Sequence, residues 1–188
     1  DGAARCAYLA NNAVLSGFTL SDGFTLAGSW IEGWKLDRSG GGAYADGAML
    51  TNCAVVGNKA GCVGGGVCYG TLNNCTVSGN EAVEGGGVAW SMLDNCFITG
   101  NKADFKGGGA CYGTLDKCII SGNTAWSGGG VNESKTSNSR IENNTAERSG
   151  GGSYYGWLRN CSILFNSTSG RGGGADSCEL INCTVVGN

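Results

Sequence analysis

Six cysteines fall in one phase of this chain, at Cys53, Cys75, Cys96, Cys118, Cys161 and Cys183, with Ser139 where the series skips. A column of thiolates is chemistry that can hold a soft metal ion. The usual companions of such a site are missing, because the 188 residues contain no histidine and no Cys-x-x-Cys pair, so no metal and no cofactor is expected. Inside a close-packed interior a thiol acts as a small hydrophobe, and parallel side-chain vectors fit disulfide geometry badly even about 4.8 Å apart. The expectation is therefore a column of free, buried thiols. The other five cysteines (Cys6, Cys62, Cys68, Cys111 and Cys178) lie off the column, and Cys62 with Cys68 is the pair best placed to form a bridge.

Aromatic rings form a second recurring set. Tyr69, Trp90, Tyr112 and Tyr155 each follow a glycine triplet by three residues, with Glu133 in the intervening coil. Rings stacked about 4.8 Å apart and turned outward make a platform for sugars. Simple alternation from the inward Val67 and Val88 turns them inward instead, as one wall of the core. Trp30 and Trp34, in an apolar stretch near the start of the chain, are the other candidate ligand contacts. Candidate acids are Glu32, Asp37, Asp94, Asp116, Asp176 and Glu179. They form no constellation of the kind glycoside cleavage needs, so no catalytic residue and no enzymatic activity is expected.

What positions these residues is a repeat. Gly-Gly-Gly triplets start at Gly40, Gly64, Gly85, Gly107, Gly128, Gly150 and Gly172, and an Asn recurs at Asn58, Asn80, Asn101, Asn123, Asn144, Asn166 and Asn188. A period of about 22 residues belongs to solenoids, in which each coil buries its apolar face only by stacking on its neighbours. Within a repeat, Cys75 and Val77 point one way while Thr76 and Ser78 point the other, which is short strand material bounded by Gly and Asn turns. The fold class expected is all-β, a right-handed parallel β-helix of about seven coils stacked to about 35 Å. Small residues after each triplet start a second inward column. The turn asparagines, and a second set one residue before the cysteines, are expected to bond to their copies as ladders.

Residues 40–188 carry the regular array, and residues 1–39 form one or more irregular first coils continuous with it. From Phe18 to Cys53 is a surplus of about thirteen residues over one period, near Phe24 to Arg38, as of a loop inserted into a solenoid. The coil from Val131 to Ser149 also stands apart, with Glu133, Lys135, Thr136, Ser139 and Arg140 where its neighbours are apolar or uncharged; sequence drift accounts for it. With a net charge of -3 there is no basic stripe for nucleic acid, and no apolar run reaches the length of a membrane span. The chain starts at Asp1 and ends at Asn188 in mid-pattern, so the array is expected to continue.

Gly-Gly-Gly followed by a small apolar residue, with a hydrophobic-x-x-Asn string farther on (Val77-Ser-Gly-Asn80, Ile98-Thr-Gly-Asn101, Ile120-Ser-Gly-Asn123), resembles the GGA(I/L/V) and FxxN repeats of polymorphic outer membrane proteins. More widely it resembles the Gly- and Asn-rich parallel β-helix domains of large bacterial surface and secreted proteins. The likeness covers residues 40–188, with Val or Ile standing for the Phe of FxxN. It implies an extracellular or cell-surface, adhesin-like passenger on the bacterial outer surface, with no catalytic residues. The function expected is a structural or adhesive rod, a segment of a larger surface protein, fibre or filament. Its partners would be further repeats or head-to-tail copies of itself, with host or matrix glycans a further class. The alternative is a carbohydrate-binding or carbohydrate-cleaving β-helix.

Overall fold

A computed structural model describes residues 4–26 and 36–188. One coil shows the plan. Val88–Ala89 and Met92–Asp94 lie in the first sheet, Phe97–Thr99 in the second and Lys102–Lys106 in the third, and Gly107 to Gly109 leads into the next coil. Every pairing is parallel and joins one coil to the next: Leu72, Leu93 and Leu115 are opposite one another, as are Val77, Ile98 and Ile120. Among the described residues, three sheets of fourteen, eight and five strands result. The eight-stranded sheet takes one strand from the irregular first part, Thr19–Ser21, and seven from the regular array, so the parallel β-helix expected from the period is what forms.

The core is the space the three sheets enclose, and each coil supplies the same few residues to it. Leu93, Cys96, Ile98 and Val88 are buried together with their copies above and below. Cys53, Cys75, Cys96, Cys118 and Cys161 are all core residues, with Cys183 packed against them, as alternation predicts.

Buried asparagines close one corner. Nδ2 of Asn80 donates to Oδ1 of Asn101 at 2.9 Å and to the Val55 carbonyl at 2.9 Å, while its backbone N–H donates to the same Asn101 oxygen at 3.0 Å. The pattern repeats from Asn58 to Asn188. Each side chain thus satisfies backbone groups that the turn leaves without a sheet partner, the condition for burying them. The second column, before the cysteines, lies on the outside in the left-handed region, with φ of 51° at Asn95 and 53° at Asn160, and its amides also bond coil to coil. Lys117 takes the place of Asn in this column, at φ 50°, and lies within ion-pair distance of Asp94 and Asp116.

The glycine triplet makes the opposite corner. Gly85 has φ +62°, and a Cβ at Gly86 would collide with the carbonyls of Lys102 and Gly108. The first position is conformational and the second steric.

Repeat length is not constant, and the third sheet absorbs the difference. Ala103 and Lys106 pair with Ala82 and Glu84, and Ala146 and Ser149 pair with Ala125 and Ser127, so one extra residue is bulged out between fixed partners. Phe105, inside one such bulge, is exposed. In the first regular coil the first sheet takes up two extra residues between Tyr44 and Ala48. Phe18 precedes a strand that pairs Leu20 with Val55, as the 35-residue gap requires. Trp30 and Trp34 lie outside the described residues.

Asn123→Ala removes the acceptor of two bonds from Asn101 and two donations to Ile98 and Asn144. It is expected to cost about 3 kcal/mol in chemical denaturation, the scale of leaving buried backbone groups unpaired. Asn160→Gly, on the outer column, keeps the left-handed turn and should stay within about 0.5 kcal/mol of the parent.

Candidate functional site

Tyr69, Trp90, Tyr112 and Tyr155 do not line the core. Each sits in the left-handed region, with φ of 60°, 50°, 58° and 51°, and a residue in that conformation breaks the two-residue alternation of a strand. The first sheet bends there and the rings turn outward, so the inward orientation expected from alternation is corrected. Val67 and Val88 do point into the core; Cys68 and Ala89, one residue on, pack in a separate small cluster with Tyr44 and Val63.

Once outside, the rings stack mostly on each other. Tyr69 and Trp90 have centroids 5.2 Å apart at 11°, and Trp90 and Tyr112 are 5.2 Å apart at 10°. Tyr8 and Tyr44 extend the array toward the first coil, stacked at 5.6 Å and 9°, with the Arg5 guanidinium over both rings. Tyr155 is apart from this stack, because Glu133 occupies the place between, and its ring neighbour is Tyr154, tilted at 4.5 Å.

Beside Tyr112 lies a charged cluster that the sequence pattern did not single out. Glu84 is only 6 % exposed, its Oε2 accepts a hydrogen bond from the Tyr112 hydroxyl at 3.2 Å, and burial pushes its carboxyl above the usual range. Lys106, half-buried, pairs with Glu133 at 3.2 Å. Glu84 and Lys106 belong to the position just before the triplet, filled elsewhere by Val63, Ser127, Ser149 and Arg171. Two successive charged residues, Glu84 and Lys106, in a column that is small or apolar at Val63, Ser127 and Ser149 were the available signal.

The candidate acids remain scattered. Asp116 accepts bonds from Ser137 and Asn138, which lower its pKa, and with Asp94 it flanks Lys117. Asp37 stands in a short 3-10 turn, Leu36–Arg38; Glu32 lies outside the described residues. Among the described residues no three His, Cys, Asp or Glu side chains come together as metal ligands.

The thiol column is shielded by burial, and its shifts run both ways: the Cys118 thiol is lowered by its hydrogen bond with Cys96. The Cys75 thiol is pushed up by its hydrogen bond with Cys96 and by burial. That of Cys96 is pushed up to about 12, chiefly by its hydrogen bond with Cys118, with burial adding. Each sulfur also bonds to strand carbonyls, such as Cys96 Sγ to Leu72 O at 3.4 Å. Cys62 and Cys68 come together in the small outer cluster, both as free thiols rather than the bridge expected from their spacing.

The fold defines a parallel β-helical protein. Residues 10–174 match the family described as periplasmic copper-binding protein (NosD), and the chain belongs to that family. The family's periplasmic location agrees with the extracytoplasmic site expected from the sequence. No curated protein matches the chain closely enough to count as a relative. The likeness to polymorphic outer membrane protein repeats stays one of motif.

The copper of the family description was tested against the donors present. The chain has no histidine and only two methionines, and the column thiols are buried and bonded to backbone carbonyls. These residues do not fit a copper centre.

Cys75, Cys96 and Cys118 are expected to resist a thiol reagent in the native protein at least about a hundredfold longer than the exposed Cys6, and to react only on unfolding. Timed labelling with peptide mapping checks this, and rapid native modification of the three, or a disulfide between any two, would refute it.

Proposed function

We propose that this domain is a structural rod that works outside the cytoplasm, as a segment of a larger surface protein, fibre or filament. Its principal partners are then further repeats or head-to-tail copies of itself. One observation carries the reading: the bonding and apolar columns run along the axis from coil to coil, asparagine to asparagine and leucine to leucine, in one register. Each coil offers the next the same register, so stacking in this direction is a heterologous contact that propagates instead of closing. Rod-like stiffness comes from stacking that is continuous from coil to coil.

An adhesive role adds host or matrix glycans as lateral partners. Glycan cleavage is not part of the reading, since Asp94 and Asp116 both lie within ion-pair distance of Lys117. The copper of the family description is not carried over to this chain either, for want of donors.

Sedimentation velocity over about a hundredfold range of concentration tests the rod. Lengthwise self-association is expected, and Val185→Lys should abolish it without unfolding the interior coils; a monomer at every concentration would overturn the head-to-tail form. In a separate measurement, the protein equilibrated with Cu(I) buffered by a competing chelator, or with Cu(II), should retain no stoichiometric metal. One tightly held copper per chain would reverse that conclusion.

A further inference from the structure

Tyr155 and Trp157 stand two residues apart, one on the left-handed corner and the other starting the strand Trp157–Arg159. Their copies in the preceding coil are Glu133 and Lys135, and in the following coil Ser177 and Glu179. None of these four is aromatic. Tyr69, Trp90 and Tyr112 use their ring faces on one another, but Tyr155 meets only the tilted Tyr154. Tyr155 and Trp157 are 51 % and 52 % exposed, the only adjoining pair of rings on this flank among the described residues with faces left open.

Three depressions adjoin along this coil, and the two rings are the ribs between them. Tyr155 separates a cavity of about 390 Å³, which holds Arg148, Arg171 and Asp176, from one of about 440 Å³. The latter lies between Tyr155 and Trp157 and is edged by Glu133 and Glu179. Beyond Trp157 a third, of about 290 Å³, contains Lys135 and Arg159. Arg148 and Arg171 both line the first cavity, and neither makes an ion pair among the described residues.

We propose that this strip binds an acidic oligosaccharide laid across the coil, one sugar to each depression. A pyranose carries C–H bonds on a ring face and hydroxyls around its rim, so it packs against the electron-rich face of an aromatic ring while its rim stays hydrogen-bonded. The middle sugar packs between Tyr155 and Trp157, with Glu133 and Glu179 accepting from its hydroxyls. The carboxylate of the end sugar meets Arg148 and Arg171, whose planar forks match it. A nucleic acid strand also offers rings and negative charge, and hexathymidylate is the probe that separates it from an acidic sugar. The divergent coil from Val131 to Ser149 thereby acquires a role: its Glu133 interrupts the ring ladder and leaves the Tyr155 face free.

The site is tested by calorimetric titration of the protein with hexasaccharides of galacturonate, mannuronate, glucose and N-acetylglucosamine, and with hexathymidylate. At least one uronate should bind more tightly than both uncharged sugars. Trp157→Ala and Tyr155→Ala should each weaken it about tenfold or more, and Arg148→Gln with Arg171→Gln should erase the preference for the acidic sugar. Tyr69→Ala, in the self-stacked ladder, should bind as the parent does. No binding of any hexasaccharide at millimolar concentration overturns the proposal. So does preference for an uncharged sugar or for hexathymidylate, or affinity unchanged in Trp157→Ala. None of these failures bears on the rod, whose contacts lie along the axis.

Discussion

The step from one coil to the next is the constraint on which the rest of this structure depends. Each coil gives a single residue to each column, so no column has meaning until a neighbour lies about 4.8 Å away in register. At the asparagine corner the step is fixed by a side chain that bonds in three directions. Asn80 holds the next asparagine by two bonds and the preceding coil's Val55 carbonyl by a third. At the glycine corner it is fixed by exclusion, since a side chain at Gly86 would meet the carbonyls of the coil above. One corner attracts and the other permits approach, and the sheets between them then pair without further instruction.

Because those two corners must stay in register, variation in repeat length is displaced to the segment between them. The single-residue bulges at Ala103 to Lys106 and Ala146 to Ser149 do this. The bulged residues point outward, so the third sheet can vary in length and composition without disturbing the core. Charge enters through the same tolerance: Glu84 and Lys106 occupy the last position of that sheet, where burial raises the carboxyl of Glu84 and Tyr112 supplies its hydrogen bond.

Much of this was legible in sequence because a solenoid writes its contacts as periodicity. The period predicted which leucines, valines and cysteines face inward, and the structure spans the surplus of about thirteen residues between Phe18 and Cys53 by pairing Leu20 with Val55. The aromatic column was misread for a definite reason. Alternation holds only while the backbone stays extended, and Tyr69, Trp90 and Tyr112 adopt a left-handed conformation that bulky residues visit rarely. No local signal marks that departure; neighbouring rings stacked at 5.2 Å and a dense core behind them are its compensation. The divergent coil was similarly opaque, since Glu133 and Lys135 look like drift until the next coil shows Tyr155 and Trp157 beside them.

A ladder that consumes its own ring faces and a pair that leaves them open are chemically different surfaces built from the same position in the repeat. In the first, each ring is both support and supported, and the left-handed strain of three corners is shared among stacked neighbours. In the second, Tyr155 has the same strained backbone with only a tilted neighbour, so less of its cost is offset within the fold. What distinguishes the two is one substitution, Glu133, which the repeat tolerates because its backbone bonds to the coil above are unchanged and its carboxylate finds Lys106. A solenoid can therefore change one outer column while its backbone pairing and its asparagine column continue unbroken, and this separates the lateral chemistry of the fold from its stability.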